Sequence, residues 1–336
     1  MKKYIYINIR MPSSSFTNYL KQFSVGKGAP FTHTRIGDKE LGVFGGLYNI
    51  PDDRLDEFYE KYVEFIIKGG GQEYLTEKQV ENGPLLVDVD LRYEPSVTKR
   101  LHNKDHIVDL IDLYLTAINK IMNVPSNEKF SIYVMEKSEV NMLEDKTKDG
   151  IHILFSVNAD STLQHMIRNE VLKQIGDTWT LPVTNSWDDV LDECITKKTT
   201  NWQLFGSRKP GNKCYMLSSI YEVSKNDEGE MDIYEIKKED FDITKYFKKL
   251  TARNVENASF EVQEAMKNQY NSLKSTIKSK QKSKKKLVIK PYKGGGIGGE
   301  IDYQNISNVN ELDKIIENTI LNIDSLQYEI KETHLY

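Results

Sequence analysis

Hydrophobic and polar residues alternate along residues 84–92, and the rest of the chain is interpreted around this stretch. A period of two is typical of a half-buried β-strand, in which successive side chains point to opposite faces. The pattern places Leu85, Val87, Val89 and Leu91 on one face and Leu86, Asp88 and Asp90 on the other. The two aspartates therefore share a polar face, with their Cα atoms about 7 Å apart.

Two carboxylates this close on one strand repel each other, so one of them takes up a proton unless a cation offsets the charge. Carboxylate oxygens are hard ligands that suit Mg²⁺ or Mn²⁺. Asp88 and Asp90 are therefore candidate metal ligands. The alternative is a solvated strand face, on which Asp-x-Asp has no chemical role.

The same alternation predicts a second strand over residues 148–157, whose polar face carries Lys148, Gly150 and His152. Apolar residues at helical spacing predict amphipathic helices over residues 51–68, 105–122 and 161–175, and more weakly over 251–279. Further strands are expected at residues 4–9, 130–135, 213–223 and 232–236, and a last helix at 311–330.

Residues 196–213 form a basic segment that contains lysine and arginine but no acid. It includes the turn Phe205-Gly-Ser-Arg-Lys209, which is rich in N–H and cationic donors. Such a composition suits a phosphate group. A solvated hairpin tip explains the same composition equally well, and the residues alone leave both interpretations open.

The chain has 336 residues, of which 38% are hydrophobic and 29% are charged, as in ordinary globular proteins. Nine lysines and no acid lie in residues 272–293, whereas the remainder holds 37 basic and 50 acidic residues. An acidic body does not fit a general nucleic-acid coat, so nucleic acid would be bound in local grooves.

Several classes of protein and site do not fit the sequence. No apolar run approaches the ~20 residues of a membrane span, and we expect no signal peptide. The two cysteines offer neither a disulfide framework nor a zinc site. His102 and His106 have no third ligand nearby and are interpreted as surface residues.

We expect three regions along the chain. Residues 1–250 would form a catalytic domain, residues 251–300 a helical, Lys- and Gly-rich linker, and residues 301–336 a helical segment that leads to a missing part. The glycine run at 294–299 lacks the Gly-Lys-Ser/Thr ending of a P-loop and is interpreted as flexible linker.

Three motifs occur in order: Leu-Val-Asp88-Val-Asp90, Gly150-Ile-His152, and Val-Leu-Asp192 followed by Asn201-Trp-Gln-Leu-Phe-Gly-Ser-Arg-Lys209. With these motifs the chain resembles the archaeo-eukaryotic primase superfamily. Thr-Glu-Lys-Gln before the first motif and Gly-Ser-Arg-Lys-Pro-Gly after the third resemble the primase part of primase-helicases of large nucleocytoplasmic DNA viruses, of the poxvirus and mimivirus type. The strong similarity covers residues 75–217.

The resemblance implies roles for individual residues. Asp88, Asp90 and Asp192 would hold two catalytic Mg²⁺ or Mn²⁺ ions. The residues implied as triphosphate ligands are Lys148, His152, Ser207, Arg208 and Lys209. Gly150 and Gln203 depart from the serine and the arginine that are common in the family, and Arg208 would compensate for the lost charge. Trp202, Tyr48 and Tyr215 are candidates to stack on a base.

The implied fold is α/β (α+β), with an RRM-like antiparallel sheet, an N-terminal helix-and-sheet module and a C-terminal helical extension. The implied function is a DNA primase or primase-polymerase, a nucleotidyltransferase of viral DNA replication that uses single-stranded DNA and nucleoside triphosphates. A fused or separate helicase would be its partner, in the host cytoplasm or the virion and without a membrane. A primer-extending repair-type polymerase, a non-catalytic single-strand-binding module and a metal-dependent nuclease are the alternatives.

Overall fold

The computed structural model describes residues 15–286, without the side chains of Lys278 and residues 280–286. The described chain up to Lys282 belongs to one compact unit. The strand predicted at 4–9, the glycine run at 294–299 and the helix predicted at 311–330 lie outside the described residues. The predicted divisions at residues 250 and 300 stay predictions.

The described residues form fourteen strands and nine α-helices. The strands are β1 (Ser24–Val25), β2 (His33–Arg35), β3 (Gly46–Tyr48), β4 (Leu75–Glu77), β5 (Gly83–Tyr93), β6 (Met122–Asn123), β7 (Lys129–Glu136), β8 (Asn141–Met142), β9 (Thr147–Ala159), β10 (Trp202–Gln203), β11 (Met216–Lys225), β12 (Met231–Ile236), β13 (Ala258–Ser259) and β14 (Glu261–Val262). The helices are α1 (Ser15–Lys21), α2 (Leu55–Val63), α3 (Lys104–Ile121), α4 (Ser161–Leu172), α5 (Ile175–Thr178), α6 (Trp187–Val190), α7 (Glu193–Thr196), α8 (Ile243–Tyr246) and α9 (Lys267–Lys286).

The long strands form a central sheet around β9. This strand pairs antiparallel with β5 on one side and with β7 on the other, and β11 and β12 continue the sheet beyond β7. The alternation predicted for β5 is confirmed, because Leu85, Val87, Val89 and Leu91 are all buried in one core with the apolar faces of α3 and α4. That core fixes which face of β5 is left for polar side chains.

The opposite face of the central sheet packs on a second core. Leu86 and Leu154 of the central sheet belong to it, together with aromatic residues of α1 and α2. A small sheet of order β1-β3-β2-β4-β10 contributes Leu75 and Trp202 to the same core. The polar face of β5 and β9 therefore lies beside the small sheet.

The helices predicted at 51–68, 105–122 and 161–175 are confirmed. The helix expected over 251–279 is wrong up to residue 266, because β13 and β14 pair there with strands of the body and α9 begins only at Lys267. The apolar pattern over 51–68 corresponds to α2, which begins after a 3₁₀ turn and continues into a π-helical turn, Glu64–Lys68. α3 and α4 begin at the side-chain N-caps Asn103 and Asp160. The α/β (α+β) class with mainly antiparallel sheets is confirmed. Among the described helices, none is long and apolar enough to cross a bilayer.

Candidate active site

Asp88 and Asp90 lie on the polar face of β5. Across the antiparallel ladder Asp88 is opposite His152, and Asp90 is opposite Gly150 of β9. A Cβ atom at Gly150 would lie 2.5 Å from the hydroxyl of Tyr215. Glycine at this position therefore leaves the space that the Tyr215 ring occupies beside the two acids.

Asp192 comes to the free edge of the same strand. Leu191 forms an isolated antiparallel bridge with Val89, and the N–H of Asp192 donates to the carbonyl of Asp88 at 3.0 Å. The carboxylate of Asp192 accepts from the N–H of Cys194 at 2.8 Å and so caps α7. The three acids of the sequence motifs are therefore neighbours, although they are far apart in the chain.

Two side chains that carried no signal in the sequence fix this edge. The buried guanidinium of Arg168 donates from Nε to the carbonyl of Leu191 at 2.7 Å. Asn185 acts like an added strand residue, since its Nδ2 donates to the carbonyl of Asp90 at 2.9 Å and its Oδ1 accepts from the N–H of Arg92 at 3.2 Å. These contacts hold the backbone on both sides of the acids.

The electrostatic environment shifts the pKa values of the two aspartates of β5 in opposite directions. Burial, and next the charge of Asp88, raise the pKa of Asp90, although Lys209 and Lys148 oppose this shift. Burial also opposes ionisation of Asp88, but His152 outweighs it together with Lys209, and the pKa of Asp88 lies below its ordinary value. Asp88 is therefore held ionised, whereas Asp90 takes up a proton more readily.

The three aspartates supply part of the oxygen ligands that a divalent cation requires. Within residues 15–286, no three His, Cys, Asp or Glu side chains converge closely enough to form a ready-made metal site. However, the buried Oδ1 of Asp88 has no hydrogen-bond partner, and His152 Nε2 lies 3.4 Å from it. A cation would satisfy this oxygen and relieve the repulsion by Asp90. One carboxylate oxygen of Asp192 accepts from the N–H of Cys194, and its other oxygen can bind a cation.

The ring of His152 is enclosed by aromatic rings. It stacks on Tyr215 with a centroid distance of 3.6 Å and lies 4.2 Å from the centroid of Trp202. Trp202, Tyr215 and Tyr48 are 1%, 6% and 7% exposed, so the interpretation of these three as platforms for a base is wrong. His152 is itself 5% exposed, and its role as a triphosphate ligand stays a prediction.

A cation that the sequence pattern did not single out belongs to this group. The ammonium of Lys137 lies 4.7 Å from the centroid of the Tyr215 ring. Burial, and next the charge of Lys209, lower the pKa of Lys137, while Asp90 and Asp88 oppose this shift. Lys137 is therefore a fourth cation beside the acids, together with Lys209, Lys148 and the half-buried Arg92.

Lys137 could have been identified only from the pairing of β7 with β9. Lys137 directly follows β7, in which Met135 is opposite His152 and Glu136 is opposite Ile151. Continuing this register by one residue would place Lys137 beside Gly150, but the sequence alone does not show which strands are neighbours.

Ser207 is placed differently from the other implied triphosphate ligands. It is fully buried, and its hydroxyl accepts from the N–H of Leu75 at 3.0 Å and lies 2.8 Å from the hydroxyl of Tyr62. The Tyr62 hydroxyl in turn donates to the carbonyl of Phe205 at 2.9 Å. Contact between Ser207 and a phosphate stays a prediction that requires this turn to open.

The next two residues are less buried than Ser207. The N–H of Arg208 donates to the carbonyl of Glu73 at 3.0 Å, and the buried Nε of Arg208 has no hydrogen-bond partner. Lys209 is exposed and influences both Asp88 and Asp90. Arg35 of β2 pairs with Glu73 at 2.9 Å.

A buried charge cluster supports Lys137 from the other face of the sheet. Arg100 pairs with Asp149 at 2.9 Å and with Glu136 at 3.0 Å, and it donates to the carbonyl of Lys137 at 2.7 Å. His102 joins the cluster at 2.9 Å from Glu136 and is 4% exposed. The interpretation of His102 as a surface residue is therefore wrong, because its partners come from distant strands.

Comparison with known proteins places this site in context. A protein of Acanthamoeba polyphaga mimivirus named "Putative helicase L207/L206" is 31% identical over 207 residues, which are 60% of this chain and 21% of that protein. A protein of Invertebrate iridescent virus 6 named "Putative helicase 184R" is 28% identical over 224 residues, or 58% of this chain and 22% of that protein. The chain thus spans about a fifth of the length of these curated relatives.

Residues 37–221 match the family model described as C962R protein N-terminal AEP domain, where AEP denotes archaeo-eukaryotic primase. The match spans more than half of the chain and contains every residue of the candidate site. It confirms the resemblance drawn from the three motifs: this chain belongs to the archaeo-eukaryotic primase-like family of the C962R N-terminal domain.

Proposed function

We propose that this chain is the catalytic part of a DNA primase or primase-polymerase, which joins nucleoside triphosphates on a single-stranded DNA template. The observation that carries the proposal is the meeting of Asp88, Asp90 and Asp192 at one strand edge, within electrostatic range of Lys209 and Lys148. Family membership supports the same class of reaction, nucleotidyl transfer.

In this proposal the three aspartates hold two Mg²⁺ or Mn²⁺ ions. Such ions, when bound, lower the charge on the reacting phosphates and assist the attacking 3′-hydroxyl. Asp88 is the ligand that is ionised before a cation arrives, because His152 and Lys209 favour its charged form. Asp90 ionises more readily once a cation offsets the charge of Asp88.

The cations beside the acids bind the triphosphate. Lys209 is exposed on its turn, and Lys148 shares the polar face of β9 with His152. Positive charge fixed at this place stabilises the negative charge that develops on the leaving pyrophosphate. Lys137, held through its carbonyl by Arg100, adds a partly buried charge to the same group.

The wider setting of the proposal follows from the relatives, which are viral proteins named as helicases. The chain would act in viral DNA replication beside a helicase that is fused to it or separate. Its place of action would be the replication site in the host cytoplasm, or the virion.

The test is synthesis on unprimed single-stranded DNA with ribo- or deoxynucleoside triphosphates and Mg²⁺ or Mn²⁺. We expect template-dependent products that disappear when EDTA is added. Loss of one electrostatic stabiliser typically costs about 10²–10³-fold in rate. Asp88→Ala combined with Asp90→Ala should therefore reduce synthesis at least about 100-fold.

A matched control is Asp227→Ala combined with Glu228→Ala, which removes two exposed carboxylates from the turn between β11 and β12. This control should synthesise normally. Undiminished synthesis by the Asp88/Asp90 double variant would contradict the proposal. Products only from a primed template would indicate a repair-type polymerase, cleavage of the template a nuclease, and binding without any chemistry a single-strand-binding module.

A further inference from the structure

More than half of the exposed large apolar side chains in the described part of the chain lie on two loops. Seven large hydrophobic residues are exposed within residues 15–286: Leu41, Phe44, Met142, Leu143, Met216, Tyr234 and Val255. Four of them, Leu41, Phe44, Met142 and Leu143, lie within residues 38–44 and 139–146. Single exposed apolar residues are ordinary, but such a concentration marks an interaction surface.

The loops that carry these residues contact one another. We define the rim as residues 38–44, 139–146 and 209–213. Leu41 reaches within 4.0 Å of the Cβ position at Gly211. Asn141 donates to the side chain of Asn212 at 3.0 Å, and Lys213 pairs with Glu139 at 3.2 Å. The rim is therefore one continuous surface.

The rim borders the acids on two sides. Asn141 is opposite Lys148 in the pairing of β8 with β9, and Lys148 is two residues from Gly150, which is opposite Asp90. On the other side the rim begins at Lys209, whose charge affects both Asp88 and Asp90. A strand that lies along the rim would pass beside the acids.

We propose that the rim binds the single-stranded DNA template, with a base stacked on Phe44 and phosphates bound by the neighbouring cations. This inference rests on the proposed function, because it takes the rim as the route by which a template reaches the acids. Phe44 is 82% exposed, so that its ring is open to a ligand. Every base has a π-face, and one stacked base contributes about 5- to 150-fold in affinity.

Three cations at the edge of the rim are available to bind phosphate. Lys148, Arg208 and Lys209 lie on or beside the rim, and none of them forms an ion pair within the described part of the chain. Most of the acids on the loops are occupied: Asp38 accepts from the N–H of Leu41, Asp145 pairs with Lys146, and Glu139 pairs with Lys213. The rim as defined holds five acids and four lysines, so phosphate would bind at the edge that carries Lys148, Arg208 and Lys209 and not along the outer loops.

The test measures binding without chemistry. Fluorescence anisotropy of a labelled single-stranded oligo(dT) is recorded with the full chain in EDTA at low salt. We expect Phe44→Ala to weaken binding about 5- to 150-fold and Phe44→Trp to retain it. Tyr234→Ala is the matched control, because Tyr234 is 57% exposed on β12 and lies outside the rim. This control should bind as the unchanged protein does.

Three results would overturn the inference: no binding by the unchanged protein, undiminished binding by Phe44→Ala, or equal losses in Phe44→Ala and Tyr234→Ala. The second and third would point to a protein partner for the apolar side chains. Because the assay contains no metal or nucleotide, its outcome is independent of synthesis. Binding that depends on Phe44 in a protein that makes no product would support the rim and overturn only the proposed function.

Discussion

The central sheet and the small sheet divide the candidate active site between them, and they differ in how they hold their part of it. The strands β5 and β9 of the central sheet are 11 and 13 residues long. The strands of the small sheet have two or three residues each. Asp88 and Asp90 lie on β5, whereas the turn with Lys209 follows β10, the last strand of the small sheet.

This difference determines what each half of the site depends on. On β5 the direction of Asp88 and Asp90 follows from a continuous ladder of backbone hydrogen bonds, which no single side chain controls. The basic turn has no such ladder. It depends on a few backbone hydrogen bonds and on side chains, among them Tyr62 and Gln203, whose amide donates to the carbonyl of Ser207 at 2.6 Å. Substitutions should therefore displace the cations more easily than the acids.

The largest effect is expected where the two sheets meet. Trp202 of β10 is 1% exposed and packs on His152 of β9. Trp202→Ala should lower the free energy of unfolding by about 3–5 kcal/mol, because it removes a buried ring and leaves a cavity. Denaturant unfolding measures this loss, and Trp202→Phe should lose less. A loss below about 1 kcal/mol would mean that the small sheet adds little to the stability of the central one.

The next largest effect is a pH dependence within the small sheet. Glu77 of β4 is fully buried and accepts from the N–H of Ala252 at 2.6 Å, and burial raises its pKa to about 7. The folded protein therefore binds this proton more tightly than the unfolded chain. The contribution of Glu77 to stability falls as the pH rises from about 4.5 to about 7, by at most about 3 kcal/mol, and is constant above.

Glu77→Gln should remove this loss, because the amide is neutral at every pH and keeps an acceptor oxygen. The free energy of unfolding of the variant relative to the unchanged protein should rise between pH 4 and pH 8, toward about 3 kcal/mol. Chemical denaturation at a series of pH values measures the difference. The control is Glu81→Gln, which removes an exposed carboxyl group near the start of β5. An equal rise in this variant would rule out the burial of Glu77 as the cause.

The same contrast explains how much the sequence revealed. A period of two over β5 and β9 predicted their faces, and with them the positions of Asp88, Asp90 and His152. Helical spacing similarly predicted α3 and α4. In these elements the burial of each residue follows from its neighbours in the chain, so the pattern is visible in the sequence alone.

Strands of two residues have no period, and the sequence could not place β10 or the contacts of its turn. The bond between Tyr62 and Phe205 joins residues 143 apart in the chain. Lys137 and Arg168 were missed for the same reason, since their partners come from other strands and helices. Trp202 was misinterpreted as a base platform because composition does not tell a buried ring from an exposed one.

The variant with the smallest expected change in stability should also change nucleotide binding. It tests whether the basic turn depends on single side chains while Asp88 and Asp90 depend on the strand ladder. Tyr62→Phe keeps the ring in its core but removes the hydroxyl that bonds Phe205 and Ser207. We expect a loss of about 1 kcal/mol in the free energy of unfolding. Since Lys209 stands on this turn, KM for the nucleoside triphosphate should rise severalfold while the metal dependence of synthesis stays the same.

The matched control is Tyr59→Phe, one turn earlier in α2, whose hydroxyl lies 3.5 Å from a carboxylate oxygen of Glu77 and makes no contact with the basic turn among the described hydrogen bonds. It should cost a comparable amount of stability and leave KM unchanged. Equal increases of KM in both variants would mean that the turn responds to the stability of the small sheet as a whole. An increase in Tyr62→Phe alone would instead assign the position of Lys209 to one hydroxyl group, as the sparse backbone pairing of the turn leads us to expect.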